Sequence, residues 1–329
     1  MGLAVAVATL VLMIETEPHL AMVWDEGYTL GREARIRAWF QALPDPASFA
    51  ADWQPPRDEL VQPDSVRPPL STAIDTRTKL FDPLVLAWFW PFAREEPHGH
   101  PPFYAIVGMI GDAIAPSWET LPRARLGTML SFSLTAGVLF AFSARRWGTW
   151  AALAAAGAWV FQPRLFAEGH YATYDALLSS VWVGSILAFA NAVESPSSAP
   201  SRWPRWGWVG VFGVLAGWAA DTKLTGWFLA IPFLAWAALY RDRRALMTLA
   251  VGGLIALMVL YLFNPPWWGA PVAGIERFLH SNLSRAESRP IPVLYLGDVI
   301  ETPTNSLPWY NTLVWTLFVT PVGFLALTL

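Results

Sequence analysis

The sequence predicts an all-α protein that crosses a membrane several times. Hydrophobic residues make up 54% of its 329 residues and charged residues only 14%, whereas soluble domains are about a quarter charged. Seven uncharged runs approach the roughly 20 apolar residues that a helix needs to cross a bilayer. The net charge of −3 gives no electrostatic reason to expect nucleic-acid binding. The sequence contains no cysteine, which excludes disulfides, thiolate metal sites and cysteine nucleophiles.

The first predicted span lies at the N-terminus. Residues 2–14 would cover only about 20 Å as a helix, so this helix is expected to continue past Glu15 and Glu17. The longer runs are residues 126–143, 147–163, 176–193, 206–220, 224–240, 245–263 and 309–329. Together they predict about eight spans, with a turn at residues 221–223 between two of them. Both ends are abrupt, which is typical of a piece of a longer protein.

These runs divide the chain into five parts. They are a first span (1–23), a long external loop (24–125), a bundle of six spans (126–263), a second external loop (264–308) and a last span (309–329).

Arginines in the short connections predict the orientation. They are Arg145, Arg146, Arg202, Arg205, Arg241, Arg243 and Arg244. Basic residues in short connections stay in the cytoplasm, so the loop 24–125 is expected outside. If residues 101–118 crossed the membrane, these arginines would lie outside as well. We therefore predict that residues 101–118 and 83–92 form interfacial or re-entrant helices.

Carboxylates and histidines of the first external loop are candidates for chemistry. Asp25 and Glu26 follow the first span, where a carboxylate beside aromatic residues can act as a general base. The alternative is that they are acidic residues of the kind that commonly flank the outer end of a span. His98 and His100 could ligate a metal ion. The other interpretation is that a polar turn precedes a helix there, and we expect no metal cofactor.

Basic residues on the outer side are the second group of candidates. Arg125 precedes the second span, where a guanidinium suits a lipid phosphate, although arginines at span ends also extend toward water. Arg164 is a further candidate for an anion contact. Asp221 and Lys223 interrupt an apolar hairpin, which indicates a functional site unless the two side chains pair with each other.

The second outer segment, residues 163–175, adds three ionisable residues. Glu168 and His170 lie within it, and Asp175 ends it. The structural alternative for Asp175 is that it caps the helix that follows.

The order of these motifs resembles the protein O-mannosyltransferase family, glycosyltransferase family 39, and the related bacterial aminoarabinose transferases. The matching features are the acidic pair Asp25-Glu26, the motif His100-Pro101-Pro102, Arg125, the stretch from Arg164 to Asp175, and Lys223-x-x-Gly226. The family has the GT-C fold. It transfers a sugar from a polyprenyl-phosphate carrier to an acceptor outside the cytoplasm.

The resemblance implies roles for individual residues. The catalytic pair would be Asp25 and Glu26, with Asp25 as the general base of an inverting transfer. The donor phosphate would be held by Arg125, Lys223 and Arg164, and the site would be shaped by His100, His170 and Asp175. The short loops imply a bacterial cytoplasmic membrane and an undecaprenyl-like carrier, while the acceptor (protein, lipid or glycan) stays open.

Two other functions compete with a glycosyltransferase. The charged, broken hairpin at residues 221–223 is also typical of a transporter or lipid flippase, although no inverted repeat is visible and the polar residues gather on one face. A non-catalytic fragment would explain the abrupt ends.

Overall fold

A computed structural model describes residues 1–54, 67–90, 100–194, 203–284, 292–301 and 306–320, with Val322 and Leu325. The helices in chain order are α1 (Gly2–Thr16), α2 (Trp24–Ala42), α3 (Pro46–Asp52), α4 (Pro83–Phe89), α5 (Phe103–Gly108), α6 (Ile110–Ile114), α7 (Thr120–Val160), α8 (Pro163–Glu168), α9 (Asp175–Val193), α10 (Trp206–Ala220), α11 (Ala230–Tyr240), α12 (Arg243–Leu262), α13 (Pro271–Leu283) and α14 (Asn311–Val319). Short 3₁₀ turns lie at Glu17–His19, Ser71–Ala73, Lys79–Phe81, Leu224–Leu229 and Pro265–Trp267.

The chain is a helical membrane protein. Among the described residues, four helical segments are long and apolar enough to cross a bilayer, namely Gly2–His19, Thr120–Val160, Asp175–Val193 and Arg243–Leu262. Trp206–Ala220 and Leu224–Tyr240 are shorter apolar helices. The predicted class is therefore confirmed, and the number of eight spans stays a prediction.

A small β-ribbon departs from the all-α prediction. Strands β1 (Pro292–Tyr295) and β2 (Asp298–Glu301) pair antiparallel in the segment expected to be the second external loop. The turn between them places Gly297 at φ 102°, a conformation that glycine adopts without a steric penalty.

Helix α7 contains two antiparallel segments joined at Gly148. A straight helix of its 41 residues would be about 60 Å long, twice the thickness of the hydrocarbon core. Gly148 has φ 85° and ψ 177°, which is not helical. The Trp159 Nε1–H donates to the Phe132 carbonyl over 3.1 Å, and their rings stack at 5.3 Å. In a straight helix these residues would be about 40 Å apart, so the chain reverses direction between them.

Helices of the first predicted loop pack into the core. Ile36 and Trp39 of α2 are buried, and the Trp39 indole N–H donates to the Leu80 carbonyl over 3.0 Å. The apolar segment 101–118 forms the short helices α5 and α6, which pack against α2 and α7. Neither helix is long enough to span a bilayer.

Arg146, Arg205 and Arg243, which lie in the short connections, share one end of the bundle. Glu194, which follows α9, pairs with Arg146 over 2.8 Å and lies 3.9 Å from Arg205. The Arg243 guanidinium lies over the Trp203 ring at 5.8 Å. These contacts place the α7 turn, the end of α9 and the starts of α10 and α12 together. The helices then run to the opposite end, where the candidate residues lie.

Candidate active site

Arg125 is the centre of a buried ionic cluster. Its Nε and Nη2 atoms donate to the two carboxylate oxygens of Glu26, each over 2.7 Å, and Nη1 donates to Glu17 over 2.8 Å. The two remaining N–H groups reach the carbonyl oxygens of Leu20 (3.1 Å) and Ala21 (3.0 Å). All five guanidinium donors are thus used within the protein.

Glu26 is as fully engaged as Arg125. Its side chain is 0% exposed, and it also accepts hydrogen bonds from the backbone N–H groups of Val23 and Ala172, each over 3.0 Å. Glu26 and Arg125 therefore hold together the end of α1, the start of α2, α7 and the loop before α9. This geometry favours a supporting role for both residues, because neither has a free group to offer to a substrate.

Asp25 has a different environment from Glu26. Successive residues on a helix point about 100° apart, so the two carboxylates face different parts of the protein. Asp25 is half-buried, and its Oδ2 accepts a hydrogen bond from the Tyr174 hydroxyl over 3.0 Å. Of the two acidic residues, Asp25 is the one that is accessible.

Tyr174 connects Asp25 to the other candidate residues. Its ring lies 4.1 Å from the His100 ring and 5.6 Å from the Tyr104 ring, centroid to centroid. The Lys223 Nζ lies 4.3 Å from the same ring, within the range of a cation–π contact. Burial, and then the negative charge of Asp25, raise the pKa of Tyr174. The phenol therefore stays protonated and acts as a donor.

Lys223 pairs with Asp175 rather than with its neighbour Asp221. The Lys223 Nζ donates to Asp175 Oδ1 over 2.8 Å, while buried Asp221 accepts from the Asn264 side chain. An Asp221–Lys223 pair within the turn, the alternative left open by the sequence, is therefore wrong. Asp175 is the first residue of α9, and the N-cap position is occupied by Tyr174, so the alternative that Asp175 caps this helix is also wrong.

Gly226 explains the glycine of the Lys-x-x-Gly motif. A Cβ atom at this position would lie 1.8 Å from the Ala219 carbonyl oxygen. Only glycine allows the turn that carries Lys223 to pack this closely on the end of α10.

Glu168 and Arg164 complete the group of charges. Burial, and then the charges of Asp175 and Asp25, raise the pKa of Glu168, while Arg164 and Lys223 act in the opposite direction. These interactions place the four residues Asp175, Asp25, Arg164 and Lys223 within electrostatic reach of Glu168. Arg164 itself is exposed and is thus open to an anion.

His170 is a buried structural link. It is 0% exposed, with Nδ1 2.8 Å from the Phe166 carbonyl and Nε2 2.8 Å from the Thr16 hydroxyl. Burial lowers its pKa, which favours the neutral ring with the proton on Nδ1. His170 thus shapes the site by joining the loop after α8 to the end of α1.

A protein metal site usually has three or more protein ligands. Within the described ranges, no group of three or more His, Asp or Glu side chains could hold a metal ion. His98, the other candidate ligand, lies outside these ranges.

Sequence reasoning did not identify Tyr174 and Glu17 as parts of the site. Glu17 looked like an acidic residue at the end of a short span, and Tyr174 was one aromatic residue among several at a span end. Tyr174 directly precedes Asp175, and this adjacency is the signal that would have drawn attention to it.

The comparisons with known proteins identify the family of the chain. Residues 99–268, just over half of the chain, match the family model described as dolichyl-phosphate-mannose-protein mannosyltransferase. The matched segment includes His100, Arg125, Asp175 and Lys223, and Asp25 precedes it. No curated protein and no solved structure gives a significant match. The resemblance suggested by the motifs is confirmed: the chain belongs to the dolichyl-phosphate-mannose-protein mannosyltransferase family and is a membrane glycosyltransferase.

Proposed function

We propose that this protein transfers mannose, or a related sugar, from a polyprenyl-phosphate carrier to a hydroxyl group of a protein acceptor. The observation that carries the proposal is that Tyr174 contacts both an accessible carboxylate, Asp25, and a cation, Lys223. Glycosyl transfer from a lipid phosphate needs a base for the acceptor and positive charge for the leaving group. The two groups are held next to each other at one end of the bundle.

We propose an inverting displacement at the anomeric carbon of the sugar. Asp25 takes the proton of the acceptor hydroxyl while the acceptor oxygen attacks the anomeric carbon of the sugar. The bond between the anomeric carbon and the phosphate oxygen breaks, and its electron pair stays on the phosphate. The products are the glycosylated acceptor and polyprenyl phosphate, and the anomeric configuration is inverted because attack and departure occur on opposite faces.

Lys223 and Arg164 are the proposed contacts of the donor phosphate. Lys223 is 24% exposed and uses one of its three N–H donors on Asp175. Arg164 is exposed, and its charge is near enough to lower the pKa of Glu168. Arg125, by contrast, has no donor left for a phosphate. We propose that Arg125 and Glu26 fix the start of α2, which carries Asp25.

The proposed site faces away from the cytoplasm. Arg146, Arg205 and Arg243 lie at the opposite end of the bundle, and basic residues in short connections are retained in the cytoplasm. The carrier's phosphate would then lie at the outer leaflet, beside Lys223. The carrier lipid would remain in the bilayer next to the helices.

The test is sugar transfer in proteoliposomes that contain mannosyl-phosphoryl-polyprenol and an acceptor peptide with serine and threonine. Asp25→Asn should lower kcat by about 10²–10⁴-fold, the usual contribution of a general base. Asp75→Asn is the matched control, since Asp75 forms an exposed pair with Lys79 and its loss should leave kcat unchanged. Full activity in Asp25→Asn would refute the assignment of the base. Translocation of the sugar-lipid without transfer would instead support a flippase.

A further inference from the structure

We propose that Tyr174 is a positioning residue for both halves of the reaction. Its hydroxyl orients the Asp25 carboxylate, and its ring holds Lys223 at a fixed distance from that carboxylate. The proposal rests on the function proposed above and deepens it, because it assigns to one side chain the coupling between base and phosphate site.

The hydrogen bond to Asp25 sets the direction of the base. The Tyr174 hydroxyl donates to Oδ2 over 3.0 Å, which restricts rotation of the carboxylate and leaves Oδ1 to take the acceptor's proton. A hydrogen bond to a charged group is stronger than one between neutral groups. It also compensates Asp25 for the water that is lost when the acceptor binds.

The ring of Tyr174 has a firm support. Tyr174 directly precedes α9, and its ring packs on the His100 ring at 4.1 Å, with the His100 side chain only 5% exposed. The Lys223 ammonium lies 4.3 Å from the centroid of the same ring and also donates to Asp175. Lys223 is thus held by a ring and a carboxylate on two consecutive residues.

The charges around the pair require a neutral donor. Glu168 and Asp175 both carry carboxylates close to Asp25 or Tyr174, and Lys223 supplies the compensating cation. An additional negative charge on Tyr174 would repel Asp25 and its neighbours. Tyr174 therefore serves as a fixed hydrogen-bond donor and does not take up the acceptor's proton.

The experiment separates the hydroxyl from the ring by measuring kcat and the donor KM. Tyr174→Phe keeps the ring but removes the hydroxyl. It should lower kcat by roughly 10- to 100-fold, the value of one hydrogen bond to a charged group, with the donor KM unchanged. Tyr174→Ala removes both, and it should also raise the donor KM at least several-fold. The matched control is Tyr261→Phe, because the Tyr261 hydroxyl donates to the Trp268 carbonyl and not to a carboxylate.

Each outcome decides the proposal. A wild-type kcat in Tyr174→Phe would overturn the role of the hydroxyl, and an unchanged donor KM in Tyr174→Ala would overturn the role of the ring. If both variants lower kcat and raise KM equally, with a reduced melting temperature, Tyr174 is only a packing residue. If Asp25→Asn is inactive while Tyr174→Phe is unaffected, this inference fails and the proposed function stands. If Asp25→Asn is fully active, the proposed function fails as well.

Discussion

Replacing Arg125 with lysine tests whether the ionic cluster supports the fold or binds the donor. Arg125 makes five hydrogen bonds, two of them to Glu26 and one to Glu17. Lysine has three N–H donors and no planar fork, so at least two bonds are lost at a side chain that is 1% exposed. Each hydrogen bond to a charged group contributes about 1.5–3 kcal/mol. The expected loss of folding free energy is therefore about 4 kcal/mol.

The assay is thermal unfolding of the purified protein in detergent, together with binding of polyprenyl phosphate by native mass spectrometry. A loss of this size should lower the melting temperature by roughly 10 °C. Arg123→Lys is the control on the same helix. Arg123 pairs with Asp112 at a partly exposed position, where a salt bridge contributes about 1 kcal/mol or less.

The donor-binding measurement gives the result that would refute this reasoning. Below its melting temperature, Arg125→Lys should still bind polyprenyl phosphate, whereas Lys223→Ala should bind it more weakly at an unchanged melting temperature. If Arg125→Lys melts within about 2 °C of the wild type but no longer binds the lipid, Arg125 contacts the phosphate directly. The role inferred from the sequence would then be correct.

Two further substitutions test the surroundings of the site. Burial raises the pKa of Glu33 from 4.5 to about 7 despite the opposing charge of Arg37. Between these pH values the folded protein binds more protons than the unfolded chain. The free energy of unfolding therefore falls by up to about 3 kcal/mol as the pH rises through this range. Glu33→Gln should therefore melt at a higher temperature than the wild type at pH 8 and near the same temperature at pH 5; equal melting temperatures at both values would contradict this. Gly226→Ala should unfold the Lys223 turn and lower the melting temperature, because its Cβ would collide with a carbonyl oxygen, whereas Gly210→Ala, with nothing within 4 Å, should be neutral or slightly stabilising.

Helices α9 and α10 were predicted closely because the ends of an apolar helix can be located from one criterion, the absence of charged residues. The run 206–220 coincides with α10, and the run 176–193 differs from α9 by one residue. Helix α2 was not predicted, although it is 19 residues long. Its buried residues are Glu26, Thr29, Glu33, Ile36, Trp39 and Ala42. Their spacing is helical, but three of the six are polar, so the stripe has no clear hydrophobic periodicity to detect.

The sequence predicted on which side of the membrane the site residues lie, but not which of their side chains pair with each other. The arginine-based orientation placed Asp25, Asp175 and Lys223 on the same side, and the structure brings them together around Tyr174. Which carboxylate pairs with which cation depends on tertiary contacts that sequence spacing does not contain. The Lys223–Asp175 pair joins residues 48 positions apart, while the local alternative, Asp221, is bound by a residue after α12.

The two acidic residues at the start of α2, Asp25 and Glu26, have different partners. The Glu26 carboxylate accepts hydrogen bonds from Arg125 and from two backbone N–H groups. Asp25 lies about 100° around the helix from Glu26 and accepts a hydrogen bond from Tyr174. A general base needs a firmly held backbone to act with defined geometry. The buried Arg125–Glu26 pair lies next to Asp25, the proposed base. Burying these charges is unfavourable because they lose their hydration, but the resulting ion pair fixes the backbone next to Asp25. We therefore propose that Glu26 follows Asp25 directly in the sequence because Glu26 anchors the backbone that carries Asp25.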